Sequence, residues 1–183
     1  MKNTLLCLLL ALPASAFAEI TASLTAASEY ISAGRTQTAS KPAVQGGLNF
    51  IHSSGFYYKN WASNVDYGVD DHTLYELDTY FGYSQAVSEH VKVDGGIAPY
   101  FFFGGSHARD INYYDLYLTF TLFERTTIAT TYAPDYVRAN HSNYRITLSH
   151  IVPFDDFTLG LEVANTKGFR DKNGMKMPAL ISI

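Results

Sequence analysis

From Ala43 to Val65 the chain alternates apolar and polar positions with a period of two, broken only at Ser53-Ser54-Gly55. Val44, Gly46, Leu48 and Phe50 fall on one side of the first segment, with Gln45, Gly47 and Asn49 on the other. In the second segment Tyr57, Trp61 and Val65 oppose Asn60, Ala62 and Asn64. An extended backbone sends successive side chains to opposite faces, so the pattern predicts a hairpin whose Gly55 supplies the positive φ of a short loop. Each arm is close to the about 9–11 residues with which a tilted strand crosses a bilayer.

The same period recurs along the chain. Strands are predicted over Ile20–Ile31, Leu74–Ser84, Val91–Phe103, Tyr113–Leu122, Thr126–Ala133, Asn143–Val152, Phe157–Ala164 and Met177–Ile183, in addition to the two arms of the hairpin. The alternation is cleanest where Tyr114, Leu116, Leu118, Phe120 and Leu122 oppose Tyr113, Asp115, Tyr117, Thr119 and Thr121. Short connections near residues 54, 88, 124 and 154 alternate with longer polar ones near 37, 70, 108, 138 and 171. Outer-membrane barrels pair tight periplasmic turns with longer external loops in this way, and an even strand count returns both termini to the periplasmic side. The expected fold is therefore all-β: a transmembrane antiparallel up-and-down β-barrel of about 10 strands (8–12). A secreted β-sandwich is the alternative, but it gives no reason for loops to sort by length.

Residues 1–18 read as a secretory signal, with Lys2, an apolar run from Leu5 to Leu12 and the Ala16-Phe17-Ala18 cleavage pattern, which leaves 19–183 as the barrel. Cys7, the sole cysteine, leaves with that segment, so no disulfide is expected in the exported protein. No later segment is an unbroken apolar run long enough for a spanning helix. Aromatic residues make up 15% of the chain and charged residues only 16%, which suits strands with one wet and one greasy face. Removing Lys2 leaves 12 basic against 17 acidic residues, a net charge of −5 with no basic cluster, and nucleic-acid binding is not expected.

Arg35-Thr36-Gln37-Thr38, then Lys41-Pro42-Ala43-Val44-Gln45-Gly46-Gly47, Gly55-Phe56-Tyr57, Trp61 and Ser63-Asn64-Val65 resemble the TorF family of proteobacterial porin-like proteins, also known as a domain of unknown function. Pro134, Asp135 and Tyr136 look like a second signature of the same family, and the match is specific over Ser28 to Val65. The resemblance implies an outer-membrane barrel with a channel role and supplies no catalytic residues.

If the apolar faces meet lipid, the opposite faces line a lumen with Glu29, Glu76, Asp78, Asp94, Asp115 and Glu162 against Lys92 and Arg145. Such an acidic passage favours cations; alternatively the same groups pair with one another and with tyrosines to fill a narrow interior. Lys59 shares a face with Trp61 and Val65 and so fits a lipid-facing register poorly. Tyr57, Tyr58, Trp61, Tyr100, Phe101, Tyr113 and Tyr114 fall near strand ends, where aromatic girdles sit. His72, His107 and His141, with Asp70, Asp71 and Asp110, fall in three long loops, but no spaced metal or protease motif accompanies them. The expected function is passive diffusion of small hydrophilic solutes or cations through an outer-membrane porin-like channel, without enzyme activity, cofactor or metal. The expected partners are outer-membrane lipid, lipopolysaccharide near the Arg35 and Lys41 loop, and the solutes themselves. A closed structural or surface-binding barrel acting through its loops is the alternative, with a loop hydrolase behind it.

Overall fold

The computed structural model of the chain describes residues 18–32, 35–68, 72–105, 108–138, 140–154, 158–167 and 180–182. Residues 1–17, to which the signal reading applies, lie outside them. The strands are β1 (Ala18–Ala27), β2 (Ile31–Ser32), β3 (Arg35–Thr36), β4 (Ala43–His52), β5 (Phe56–Asn64), β6 (Thr73–Ser88), β7 (Val91–Gly104), β8 (Tyr113–Leu122), β9 (Thr126–Ala133), β10 (Asn143–Pro153), β11 (Thr158–Lys167) and β12 (Leu180–Ser182). Apart from the small β2–β3 ribbon, they form one sheet in the order β1-β4-β5-β6-β7-β8-β9-β10-β11-β12. Every neighbour is antiparallel, an up-and-down meander of nine full strands and a short tenth.

The loop asymmetry expected from the sequence is present. Residues 53–55, 89–90 and 123–125 make short turns, and the connections β1 to β4, β5 to β6, β7 to β8 and β9 to β10 are longer. Gly55 has φ +99° and a Cβ there would lie 2.5 Å from the Ser84 carbonyl oxygen, so the first turn requires glycine. Among the described residues the antiparallel sheet is open: no pairing joins β12 to β1, and β12 meets β11 over only three residue pairs.

The two faces differ in kind. On one, Leu48, Phe50, Phe81, Ile97, Leu116, Leu118, Phe120, Ile128, Ile146, Leu148, Leu161 and Val163 are all exposed. On the other, Glu76, Asp78, Tyr57, Ser63 and Ala98 are buried by their neighbours. The sheet thus curls around its polar face, and large apolar side chains form the convex outer surface, the reverse of an ordinary globular core. Ile20 and Leu24 carry the same surface onto β1 at 67% and 81% exposure.

One row across four strands bridges the inner face. Tyr57 pairs with Gly82, Gly82 with Gly96 and Gly96 with Tyr117. Three strand spacings put the two tyrosine backbones about 14 Å apart on a flat sheet. Their rings lie over the two glycines instead, and the hydroxyls meet at 2.6 Å. A Cβ on Gly82 would strike both tyrosine side chains, and one on Gly96 would strike the Phe81 carbonyl oxygen and lie 2.5 Å from the Tyr117 hydroxyl.

Several strand limits differ from expectation. The first strand ends at Ala27, because Tyr30 is drawn off the sheet by a hydrogen bond from its N–H to Thr38 Oγ1 (3.2 Å) and one from Gln37 N–H to its carbonyl (2.7 Å). β6 runs on past Ser84 to Ser88, with register shifts at both ends. Tyr57, Lys59, Trp61 and Val65 occupy the polar face, so the greasy face assigned to that arm is reversed. Amphipathic rings are as suited to a polar interior as to a lipid surface, and Lys59 places its ammonium 4.3 Å from the Tyr57 ring centroid. For the same reason Trp61, Tyr57, Tyr100 and Tyr113 are not girdle residues, whereas Tyr58, Phe101 and Tyr114 belong to the outer face.

Because the Gly96 site is closed by backbone and Gly95 on the opposite face makes only 3.4 Å contacts, the two neighbours should respond differently to one added methyl. Gly96→Ala is expected to lose about 1–3 kcal/mol of stability through overpacking, and Gly95→Ala to stay near wild type in urea unfolding of the detergent-folded protein.

Candidate inner-face site

Strands β5 to β8 supply a dense wall of acids and tyrosines. Tyr57 donates to Asp94 Oδ1 at 2.6 Å, and since that uses its one proton, Tyr117 donates to Tyr57. Tyr80 donates to Asp78 Oδ2 at 3.4 Å, and its ring stands edge-on to both Tyr100 and Tyr117, with centroids 6.4 and 6.2 Å away. Tyr100 stacks on Tyr113 at 4.6 Å and hydrogen-bonds Asp115. Side chains that face inward from β9, β10 and β1 are smaller: Thr127, Ala129 and Thr131, then Thr147 and Ser149, then Thr21, Ser23 and Thr25. Arg145 is the cation on that side, 3.5 Å from Glu162 and bonded through Nε to Thr147.

The connection 28–42 folds over the acid wall at the long-loop end. Thr38 is fully buried, accepts the Tyr30 N–H and donates to the Lys41 carbonyl at 2.7 Å. Thr36 Oγ1 accepts from the N–H groups of Thr38 and Ser40. Lys41 Nζ reaches Asp66 Oδ2 at 2.6 Å, while Asp66 N–H donates to the Gln37 carbonyl. The Lys41 hydrogen bond first, and the Gly68 N–H second, hold the Asp66 carboxyl below the usual aspartate range. This strap presses Tyr30 edge-on against Trp61 at 5.2 Å. Burial, and then the Glu76 and Asp78 charges, push the Tyr30 phenol up, so it stays protonated and hydrogen-bonds Glu76.

A second loop element enters from 134–142. Asp135 Oδ1 accepts the Asn140 N–H at 2.8 Å, the Tyr136 N–H donates to the His141 carbonyl, and the Tyr136 ring lies edge-on to Tyr113 at 4.8 Å. Burial and the Asp115 charge push the Tyr136 phenol up to about 12.

A model of a family described as bacterial proteins of unknown function (Gcw_chp) matches residues 11–174. The chain belongs to that family. No curated protein and no solved structure matches it. In this Gcw_chp chain most of the motif residues singled out from the sequence tie the strap to the long-loop end of the sheet. Arg35 and Thr36 form β3, Gln37, Thr38 and Lys41 tie the strap, and Asn64 accepts the Val44 N–H and donates to the Pro42 carbonyl. Ser63 donates to the Asn64 carbonyl and approaches Gln45 at 3.5 Å, while Gly46 and Gly47 lie within β4. At the other end Phe56 packs on Tyr83 across the Gly55 turn, and Pro134 opens the second loop element.

Of the expected lumen residues, Glu76, Asp78, Asp94, Asp115, Lys92, Arg145 and Glu162 share the polar face, with Lys92 exposed at its short-turn end. Glu29 does not: it lies beyond β1 and accepts a hydrogen bond from Ser40 at 3.1 Å, a rim position set by the strap. Lys59 joins the face instead. The rings of Tyr30, Tyr57 and Tyr100 were not expected on it; for Tyr57 the signal was Lys59, two positions along the same side of β5. His107, Asp70 and Asp71 lie outside the described residues, Asp110 and His72 are exposed, and His141 is half-buried. Among the described residues no three His, Cys, Asp or Glu side chains come together as a metal site.

A group whose carboxyl is more acidic when folded lends stability above its unfolded value and loses it as pH falls through the folded value. Asp66 therefore keeps the strap tied to a pH below the ordinary 3.8 of an aspartate. Lys41→Met should move strap release to higher pH, read as Trp61 emission during acid titration, since Tyr30 leaves Trp61 when the strap loosens.

Proposed function

We propose that this Gcw_chp chain is an outer-membrane β-barrel whose polar face lines a passage for small hydrophilic solutes or cations. The observation that carries the reading is the convex apolar surface. Leaving one large aliphatic or aromatic side chain in water forgoes about 1.5–3 kcal/mol. The dozen on this face are 36–49% exposed, so together they forgo roughly 8–15 kcal/mol, as much as the roughly 5–15 kcal/mol by which whole domains are stable. Hydrocarbon removes that cost, and the alternation of short and long connections is the pattern of bacterial membrane barrels. In the membrane the β1 edge closes against the C-terminal end of the sheet, since an open edge there leaves backbone groups unsatisfied. The signal-like start and the resemblance of Arg35–Gly47 to TorF-type porins agree with export to the outer membrane, where lipid and lipopolysaccharide surround the barrel. No step of the reading requires an enzyme or a cofactor.

The passage runs beside the small-residue wall of β9, β10 and β1, opposite the acids of β6, β7 and β8. Glu76, Asp78, Asp94, Asp115 and Glu162 outnumber Lys59, Lys92 and Arg145 on the inner face, and a field of that sign admits cations ahead of anions. The strap and the tyrosine bridge favour a second reading, a barrel closed at its mouth that works through its loops.

Purified protein folded in detergent should give discrete current steps with cation preference in planar lipid bilayers, and Asp94→Asn should reduce that preference. Insertion of folded protein without current would overturn the channel and leave the closed barrel.

A further inference from the structure

We propose that Glu76 and Asp78 form a recognition site for a small organic ammonium ion at the mouth of the inner face, roofed by Tyr30 and Trp61 and flanked by Tyr80 and Tyr100. The inference deepens the passage reading and rests on it for the ion's route.

Glu76 and Asp78 are two positions apart on β6, so they share a face, and each is only 7% exposed. Their carboxyl groups lie within hydrogen-bonding range of each other. Glu76 accepts from Tyr30 and Asp78 from Tyr80, which leaves Glu76 Oε2 and Asp78 Oδ1 buried without a hydrogen-bond partner among the described residues. Two adjacent carboxylates stripped of water and short of donors are a costly arrangement. Arg145 is engaged with Glu162, Lys59 over Tyr57 and Lys41 with Asp66, and Lys92 lies exposed at the short-turn end, away from the pair. A cation from solution supplies the countercharge that the pair lacks.

The surroundings decide its class. A hard metal ion takes six or more oxygens, and no metal-binding group of acids or histidines is found among the described residues. Aromatic rings are what surround the pair. Trp61 is paired directly opposite Asp78 and stands edge-on to Tyr30, and the Tyr80 and Tyr100 rings close the side. Ring faces attract ammonium groups, and this face already holds one in that way, the Lys59 ammonium over Tyr57. Of the four rings, Tyr30 alone lies on a loop, so its displacement with the strap opens the site.

Trp61 is the sole tryptophan in the sequence and reports on the site without requiring conduction. The full chain, folded in detergent, is titrated with tetramethylammonium chloride and with potassium chloride at matched ionic strength. A saturable change in Trp61 emission should occur at a concentration at least tenfold lower with tetramethylammonium. Asp78→Asn should weaken it tenfold or more, and Tyr30→Phe, which frees Glu76, should tighten it. Glu76→Gln carries the same comparison if Asp78→Asn fails to fold. Equal responses to both salts, no response, or a carboxamide variant that titrates like wild type would overturn the site and leave a proton shared by the two carboxyls. A channel without this binding, or this binding without a channel, separates the two proposals.

Discussion

Carboxylates and aliphatic side chains demand opposite surroundings, and in a strand of period two the chain must satisfy both at every second residue. The structure meets that demand by curling the sheet around the polar side. Tyr117, Tyr57 and Asp94 form a relay of short hydrogen bonds across β5 to β8 that spans two glycines. Without the bare backbone at Gly82 and Gly96 the rings could not lie down, and the acids of this wall would lose a partner that needs no added charge.

The inner face is consequently lopsided. Rings and acids crowd the β5–β8 side, while β9, β10 and β1 contribute threonine, serine and alanine, with Arg145 on β10. Bulk is thus concentrated on one part of the polar face, and the strands on either side carry mostly smaller side chains. The strap built by Thr38, Lys41 and Asp66 lies over the crowded side, where Tyr30 meets Trp61.

Much of this was legible in the sequence, for physical reasons that differ by element. In Tyr113–Leu122 residue type and period agree, so strand, face and limits all followed. In Phe56–Asn64 they disagree, because tyrosine and tryptophan suit either a wet or an apolar face; Lys59 was the honest marker and the aromatics beside it were misplaced. Glu29 was misread because a bond from the Tyr30 N–H to the Thr38 hydroxyl and a backbone bond from Gln37, not alternation, end β1. The Tyr57–Gly82–Gly96–Tyr117 row could not be read at all, since register between strands is written in no single segment. The motif near Arg35 was visible as a family resemblance, and its part in tying the strap came only from the bonds it makes.

The central claim is that the apolar face contacts hydrocarbon and the polar face does not. In a Trp61→Phe background, single tryptophans at Leu118 and at Thr119 place one reporter on each face of β8, and brominated lipids in reconstituted vesicles quench a tryptophan they touch. The account predicts strong quenching for Leu118→Trp and little for Thr119→Trp; equal quenching at both positions, or the reverse order, would contradict it.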